Sequence, residues 1–331
     1  MSNSVEQVDY GTAIRLGFEF LLENYPDVFI IGQGLWSPWY VGNSMTDLDK
    51  KFGKNRIIDT PVSECACTGA AVGASLVGMR PVVVHPRMDF LLYAIDPIVN
   101  QAAKWSHMFG GQASAPVTFR AILNRGGEQG AQHSQALQSW FAHIPGLRVV
   151  MPSCATDARD MLIASVLSSD PVLYIDDRWL YDKSEILAKP QVAEIKDFGP
   201  KLLASGEDIT VVGSGYSTLL AENAIRTIES GSGTFDLIDV RVLNPFKPDL
   251  IVKSVEKTGR LLVVDGGWSN CGFSSEVIAS VSERLKPKHW RSAPVRITLP
   301  PSPAPCAPNL EGLYYPDIAL VHENICSLIR Q

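Results

Sequence analysis

The sequence predicts an α/β protein of two doubly wound domains with mostly parallel sheets. Three observations lead there. Short β-rich apolar runs alternate with longer helical patterns almost to the end of the chain, which is the rhythm of βαβ units. Runs such as ITVVGSG and LLVVDGG are apolar throughout instead of alternating, as expected of parallel strands covered on both faces. A length of 331 residues, at about 150 per domain, makes two domains.

The strand candidates run in two series. The first is Val28–Ile31, Arg56–Asp59, Pro81–His85, Val117–Ile122, Arg148–Met151 and Val172–Ile175. The second is Ile209–Gly213, Phe235–Val242, Arg260–Asp265 and Val295–Leu299. Helical patterns fill the gaps at Thr12–Asn24, Ser63–Met79, Pro97–Phe109, Asp157–Ser168, Ser217–Ser230 and Ser274–Leu285. Between Tyr181 and Glu207 the chain turns polar, with two prolines and no firm period, as an inter-domain linker does. The cut is therefore placed near residue 190, giving domains over 1–190 and 191–331. The proline-rich segment Leu299–Pro308 must be extended or turn-rich.

Composition narrows the function classes. Hydrophobic residues make up 46% and charged residues 19%, enough apolar material for a large core. The formal net charge of −6 argues against a nucleic-acid binder, which normally carries a basic surface. No apolar run approaches the roughly 18 residues that span a bilayer, and the N-terminus lacks a signal-peptide layout. The six cysteines are too sparse for a disulfide framework, and Cys65-x-Cys67 lacks a second ligand pair at zinc spacing. The expectation is a soluble protein of a reducing compartment, the cytoplasm or an organellar matrix, with no metal site of its own.

Familiar phosphate and nucleophile signatures do not occur. GxxxxGK[ST], a GxGxxG after a strand, HExxH and GxSxG are all missing. There is also no Gly-Asp-Gly with a downstream Asn to hold magnesium and a diphosphate.

Three clusters remain, each beside a predicted strand end, where α/β proteins place ligands. In the first, a strand ends at Asp59, Ser63 is placed to cap the next helix and Glu64 falls in its first turn. That helix is built of small residues and should be buried and closely approached by neighbours. Glu64 then either complements the helix dipole or acts as a buried acid toward a ligand. The second cluster is the glycine-rich loop Asn124–Gln135, with His133 placed for acid–base work, or simply on the surface, and Ser134 for capping. The third is Pro86–Pro97: Arg87, Met88 and Phe90 follow a strand end, and Asp96-Pro97 reads as a helix start. Met88 and Phe90 suit either a platform for an aromatic ring or ordinary core packing.

Together these segments resemble the beta subunit of the thiamine-diphosphate-dependent first component of 2-oxo acid dehydrogenase complexes, within the transketolase group. The resemblance rests on Asp59-Thr-Pro-Val-Ser-Glu64, Gly69–Gly73, Gly78–Pro81, Ala94-Ile-Asp96, Ala102–Lys104, Ala131-Gln-His133-Ser-Gln135 and Pro145–Leu147. The C-terminal half adds Asp208–Val212, Val264–Trp268 and Pro303–Pro305. These segments span nearly the whole chain in order, and the Ser-Glu small-residue helix combined with the Ala-Gln-His-Ser-Gln string is the specific part.

The resemblance implies a pyrimidine-binding domain followed by a transketolase C-terminal domain. It gives Glu64 a hydrogen bond to a ring nitrogen of the cofactor's aminopyrimidine, Met88 and Phe90 a place beside that ring, and His133 a place in the active-site channel. It also accounts for the absent diphosphate motif: an alpha subunit holds the diphosphate and Mg²⁺, in an α2β2 assembly that can serve a lipoyl acyltransferase. Departures from the family pattern are Gly32-Gln33-Gly34-Leu35-Trp36, where acidic residues are usual, and Pro86–Phe90, usually richer in phenylalanine. Gln33, Trp36 and Arg87 are accordingly expected near the small-molecule substrate, with Arg87 suited to a carboxylate or phosphate. The leading expectation is decarboxylation of a 2-oxo acid with transfer of the acyl or aldehyde fragment. The alternatives are a two-subunit transketolase-like transferase or carboligase working without lipoamide, and a non-catalytic structural partner of an alpha subunit.

Overall fold

The β-branched runs of the sequence become strands in a computed structural model, which describes residues 7–37, 39–229 and 231–331. The polar opening residues 1–6 and Ser230, the expected end of one helix, lie outside the described residues. Contacts group the chain into two compact units: the residues up to Asn124 with Trp140–Phe198, and Arg125–Ser139 with Gly199–Gln331. The sequence places its cut near residue 190, whereas this division falls after Phe198. Ile195 is still buried there, in a turn that packs against a helix of the first unit.

The first unit opens with β1 (Gln7–Asp9), α1 (Tyr10–Asn24), β2 (Val28–Gln33), α2 (Leu48–Phe52), β3 (Ile57–Thr60), α3 (Glu64–Ser75) and β4 (Arg80–His85). After a 3-10 turn over Met88–Ala94 come α4 (Ala103–Met108), β5 (Thr118–Leu123), α5 (Gln138–Ala142), which belongs to this unit from Trp140 on, and β6 (Arg148–Val150). The unit closes with α6 (Ala155–Leu167), β7 (Val172–Asp177) and β8 (Ser184–Ile186). Its strands lie side by side as β6-β7-β5-β4-β2-β3, all parallel. β5 and β7 are buried along their whole length, although Arg120 interrupts the apolar run of one and Asp176 and Asp177 end that of the other. Asp9 caps α1, accepting from the Thr12 backbone N–H at 2.7 Å, and also accepts from Asn43 Nδ2 at 2.8 Å.

Inside this unit lies a charged pair that hydrophobicity alone does not forecast. Arg120 and Asp176 have fully buried side chains, with Nε to Oδ1 at 3.1 Å and Nη2 to Oδ2 at 2.7 Å. Arg120 Nη2 also donates to the Ser44 hydroxyl at 2.8 Å and to the Tyr181 hydroxyl at 2.8 Å, and the Tyr181 hydroxyl donates to Asp176. Two fork-like hydrogen bonds plus hydroxyl partners are what such a pair needs to survive desolvation.

The second unit holds β9 (Lys201–Ala204), β10 (Ile209–Gly213), α7 (Tyr216–Arg226), β11 (Phe235–Asp239), β12 (Val242–Asn244), α8 (Asp249–Thr258) and β13 (Leu261–Trp268). It continues with α9 (Phe273–Ser282), β14 (Val295–Leu299), α10 (Pro308–Tyr314) and α11 (Ile318–Arg330). Its sheet runs β14-β13-β10-β11-β9, parallel except for β9. On one face Val211, Leu237 and Leu262 bury against Leu220 and Ala224 of α7 and Val321 and Ile325 of α11. On the other, the Thr210 hydroxyl meets Ser254 and Thr258 of α8 at 2.6 and 2.8 Å, so helices cover both faces.

Several local expectations are corrected. The segment read as an inter-domain linker without a firm period contains β8, pairing with β1, and β9, an exposed edge strand. Edge pairing asks for a row of backbone groups more than for apolar side chains, so periodicity misses it. Ser63 precedes α3 but its side chain makes no capping hydrogen bond. Asp96 is already helical because the 3-10 turn leads into it, and its carboxylate accepts from Asn100 and Gln101 side chains at 2.8 and 2.9 Å. The helix expected at Ser134 starts at Gln138. Among the described residues, no helix is long and apolar enough to cross a membrane.

Candidate active site

The first unit aligns the carboxyl ends of its parallel strands. Gln33 pairs with Thr60, Gly32 with Val84, His85 with Ala121 and Leu123 with Asp177. Every loop leaving that edge therefore starts at about the same level. Those loops carry Gln33 to Tyr40 after β2, Glu64 after β3, Arg87 to Phe90 after β4 and Arg178 after β7.

Glu64 is the first residue of α3 and is half-buried, with its carboxylate at the helix end that favours negative charge. The expectation of a fully buried small-residue helix is corrected here. Thr68, Ala71, Val72 and Ser75 face the core, while Ala66, Ala70 and Gly73 are exposed and a Cβ on Gly69 or Gly73 would meet nothing within 4 Å. The small side chains leave one face of α3 open on this chain. One turn below Glu64, the Thr68 hydroxyl lies 3.3 Å from His85 Nε2. Burial pushes the His85 imidazolium pKa down to about 4, so the ring is neutral near pH 7.

Met88 and Phe90 belong to the 3-10 turn after β4; Met88 is fully buried and Phe90 half-buried. Arg87, just before that turn, is half-buried, and its pKa is lowered by burial and by the nearby charge of Arg178. The loop after β2 folds on itself. Gln33 Nε2 donates to the Tyr40 hydroxyl at 2.6 Å, and Gly34 N–H donates to Asp59 at 2.6 Å. Gly34 has φ +70°, and a Cβ there would sit 2.1 Å from the Tyr40 ring. Trp36 donates from Nε1 to the Ile57 carbonyl at 2.9 Å and carries the Lys54 ammonium 3.9 Å from its ring centroid. Much of its bulk is thus spent on holding this loop to β3.

His133 belongs to the second unit, so the expected site residues divide between the two units. Its loop is anchored within that unit. Glu128 N–H donates to the Glu311 carboxylate at 3.0 Å, Gly126 N–H to the Tyr315 hydroxyl at 3.3 Å, and Gln138 Nε2 to Asp265 at 3.2 Å. Gly130, at φ +69°, leaves space that a Cβ would take from Cys306 Sγ, and its carbonyl accepts from His133 N–H at 3.3 Å. His133 is half-buried on a pinned loop. Among the described residues, no group of three or more His, Cys, Asp or Glu side chains is placed to hold a metal ion.

Asp59, His85 and Arg178 were not singled out by sequence reasoning. Arg178 follows the end of β7 directly, so the strand-end rule that selects Arg87 also reaches it. His85 sits inside a strand pattern, where only burial distinguishes it.

A doubly wound unit with a carboxylate at a helix mouth beside aligned strand ends defines an α/β protein whose ligand site lies in the strand-end crevice. Residues 6–183 match the family described as transketolase, pyrimidine binding domain, and residues 200–321 match transketolase, C-terminal domain. The chain belongs to this family, together with beta subunits of pyruvate dehydrogenase E1 and of acetoin oxidoreductase. It is 38% identical over 274 residues to the beta subunit of acetoin:2,6-dichlorophenolindophenol oxidoreductase of Cupriavidus necator, covering 81% of this chain and 78% of that one. It is 33% identical over 321 residues to the pyruvate dehydrogenase E1 component subunit beta of Rickettsia felis, covering 96% and 97%. A solved split-gene transketolase, described as an inactive beta4 tetramer, shares the fold with TM-score 0.78 at 19% identity over 98% of this chain and 99% of that one.

Proposed function

We propose that this chain is the beta subunit of a thiamine-diphosphate-dependent enzyme that acts on a 2-oxo acid and works only with an alpha subunit. The observation that carries this reading is the place of Glu64: a half-buried carboxylate opening α3, beside the aligned ends of β2 and β4, in a chain matching the pyrimidine-binding domain. The dehydrogenase and oxidoreductase names of the relatives support this reaction class over a carboligase.

The residues present fit the pyrimidine half of the cofactor. Bound thiamine diphosphate supplies a carbon nucleophile for attack on the substrate's carbonyl. Glu64 shares a proton with a ring nitrogen of the aminopyrimidine and holds that ring in the tautomer the chemistry needs. The half-buried Phe90 would supply apolar contact for the ring, while Met88, fully buried, backs the same turn from the core. His133 holds a proton for transfer to the reacting group or binds the substrate's carboxylate. The diphosphate and its Mg²⁺ fall to the alpha subunit, since the sequence has no Gly-Asp-Gly…Asn string. The uncovered face of α3 supports a chain that docks on other subunits, in an α2β2 assembly of the cytoplasm that passes its product to a lipoyl acyltransferase.

The test is reconstitution. The chain alone should neither bind thiamine diphosphate tightly nor turn over, and addition of its alpha subunit should restore both. Robust turnover by the isolated chain would overturn the split-site reading, and full activity of a reconstituted Glu64→Ala complex would overturn the catalytic one.

A further inference from the structure

We propose that Arg87 and Arg178 together form a receptor for an oxyanion, a carboxylate or phosphate carried by the substrate, at the carboxyl edge of the first unit's sheet. This rests on the reading of that edge as the substrate site and names the group that the substrate presents there.

The placement comes from topology. Arg87 lies two residues beyond β4 and Arg178 one residue beyond β7, and both strands pair with β5. With neighbouring strands about 4.8 Å apart, two long side chains rising from strands that flank the same neighbour converge over it. The loop after β2 meets both arginines. Arg178 Nη2 reaches the Trp39 carbonyl at 3.5 Å, and Tyr40 is among the groups that act on the Arg87 charge. The Arg178 guanidinium also sits 5.2 Å from the Tyr181 ring centroid.

Two observations say that this arrangement waits for an anion. Arg178 Nη1 is buried and has no hydrogen-bond partner among the described residues, which costs free energy unless a ligand supplies an acceptor. Arg87 is half-buried, and burial first and the nearby Arg178 second disfavour its charge, with Tyr40 and Asp89 opposing them. An oxyanion between the guanidiniums would satisfy the stranded donor and relieve the repulsion, and the planar fork of arginine suits bidentate contact with carboxylate and phosphate alike.

The experiment is calorimetric titration of the full chain, without thiamine diphosphate, using inorganic phosphate and acetate as separate probes. We expect saturable binding of at least one probe, weakened about tenfold or more by Arg87→Gln and by Arg178→Gln, and unchanged by Arg226→Gln on the exposed surface of α7. The preferred probe tells whether a phosphate or a carboxylate is the natural group. Should Arg178→Gln fail to fold, Arg178→Lys keeps the charge without the fork and should bind between wild type and Arg87→Gln. Absence of saturable binding by the wild-type chain, or binding that either glutamine variant leaves intact, overturns the inference. Because no cofactor is present, its failure stays separate from failure of the Glu64 reading, which only the reconstituted enzyme tests.

Discussion

The Thr68 hydroxyl and His85 Nε2 stand 3.3 Å apart and join the second turn of α3 to the end of β4. Thr68 follows Glu64 by four residues, so it lies on the same helix face, and the contact sets how the mouth of α3 meets the sheet edge. This contact and the buried ring give a pH prediction. His85 titrates near 4 in the folded chain against an ordinary 6.5, so the unfolded state binds the proton more readily. The contribution is therefore complete above about pH 6.5 and is lost as pH falls toward 4, up to about 3 kcal/mol. Urea unfolding of wild type and His85→Gln at pH 7 and pH 4.5 should show a steeper loss for wild type. Equal losses would contradict it.

The Arg120–Asp176 pair makes the second prediction. Replacing one partner, as in Asp176→Asn or Arg120→Met, strands the other group in the core and should lower unfolding free energy by about 3–5 kcal/mol. Tyr181→Phe removes one hydroxyl from the same network and should cost about 1–2 kcal/mol. Denaturant titration ranks the three variants. A Tyr181→Phe loss equal to that of Asp176→Asn would show that the hydroxyl matters as much to the network as the charge pairing.

Glu64→Gln preserves size and helix position while removing the acid. In the reconstituted enzyme it should lower turnover by about 10²–10⁴-fold, with a thermal midpoint close to wild type because the side chain is only half-buried. Unchanged steady-state rates would remove Glu64 from the chemistry.

His133→Asn should separate chemistry from folding in the second unit. The loop is anchored at Glu311, Tyr315 and Asp265, so stability should move by less than about 1 kcal/mol. Turnover should fall about 10²-fold or more. A variant that loses stability but keeps its rate would make His133 a structural residue.

How far the molecule is readable from its sequence differs from element to element. Ile209–Gly213 falls at its expected bounds because a parallel strand buried on both faces reads as a near-continuous apolar run. Val295–Leu299 does so on alternation, with Ile297 and Leu299 buried and Arg296 and Thr298 less so. β9 is invisible by the same logic: its residues are exposed and its role is backbone pairing at an edge. Glu64 is legible because a carboxylate after a strand end and before a small-residue helix is a local pattern. Arg178 is legible only as a residue at a strand end, since its relation to Arg87, 91 positions earlier in the chain, is set by the strand order of the sheet.

The sequence by itself determined the alternation of strands and helices, the doubly wound class and the carboxylate at the mouth of α3, because hydrophobic period and strand-end position are properties of neighbouring residues. Tertiary structure decided the rest. It buried Arg120 against Asp176, left one face of α3 open, gave the His133 loop to the second unit and brought Arg87 toward Arg178. Each of these turns on desolvation and on charges placed by distant strands, and both depend on register across a sheet rather than on order along a chain.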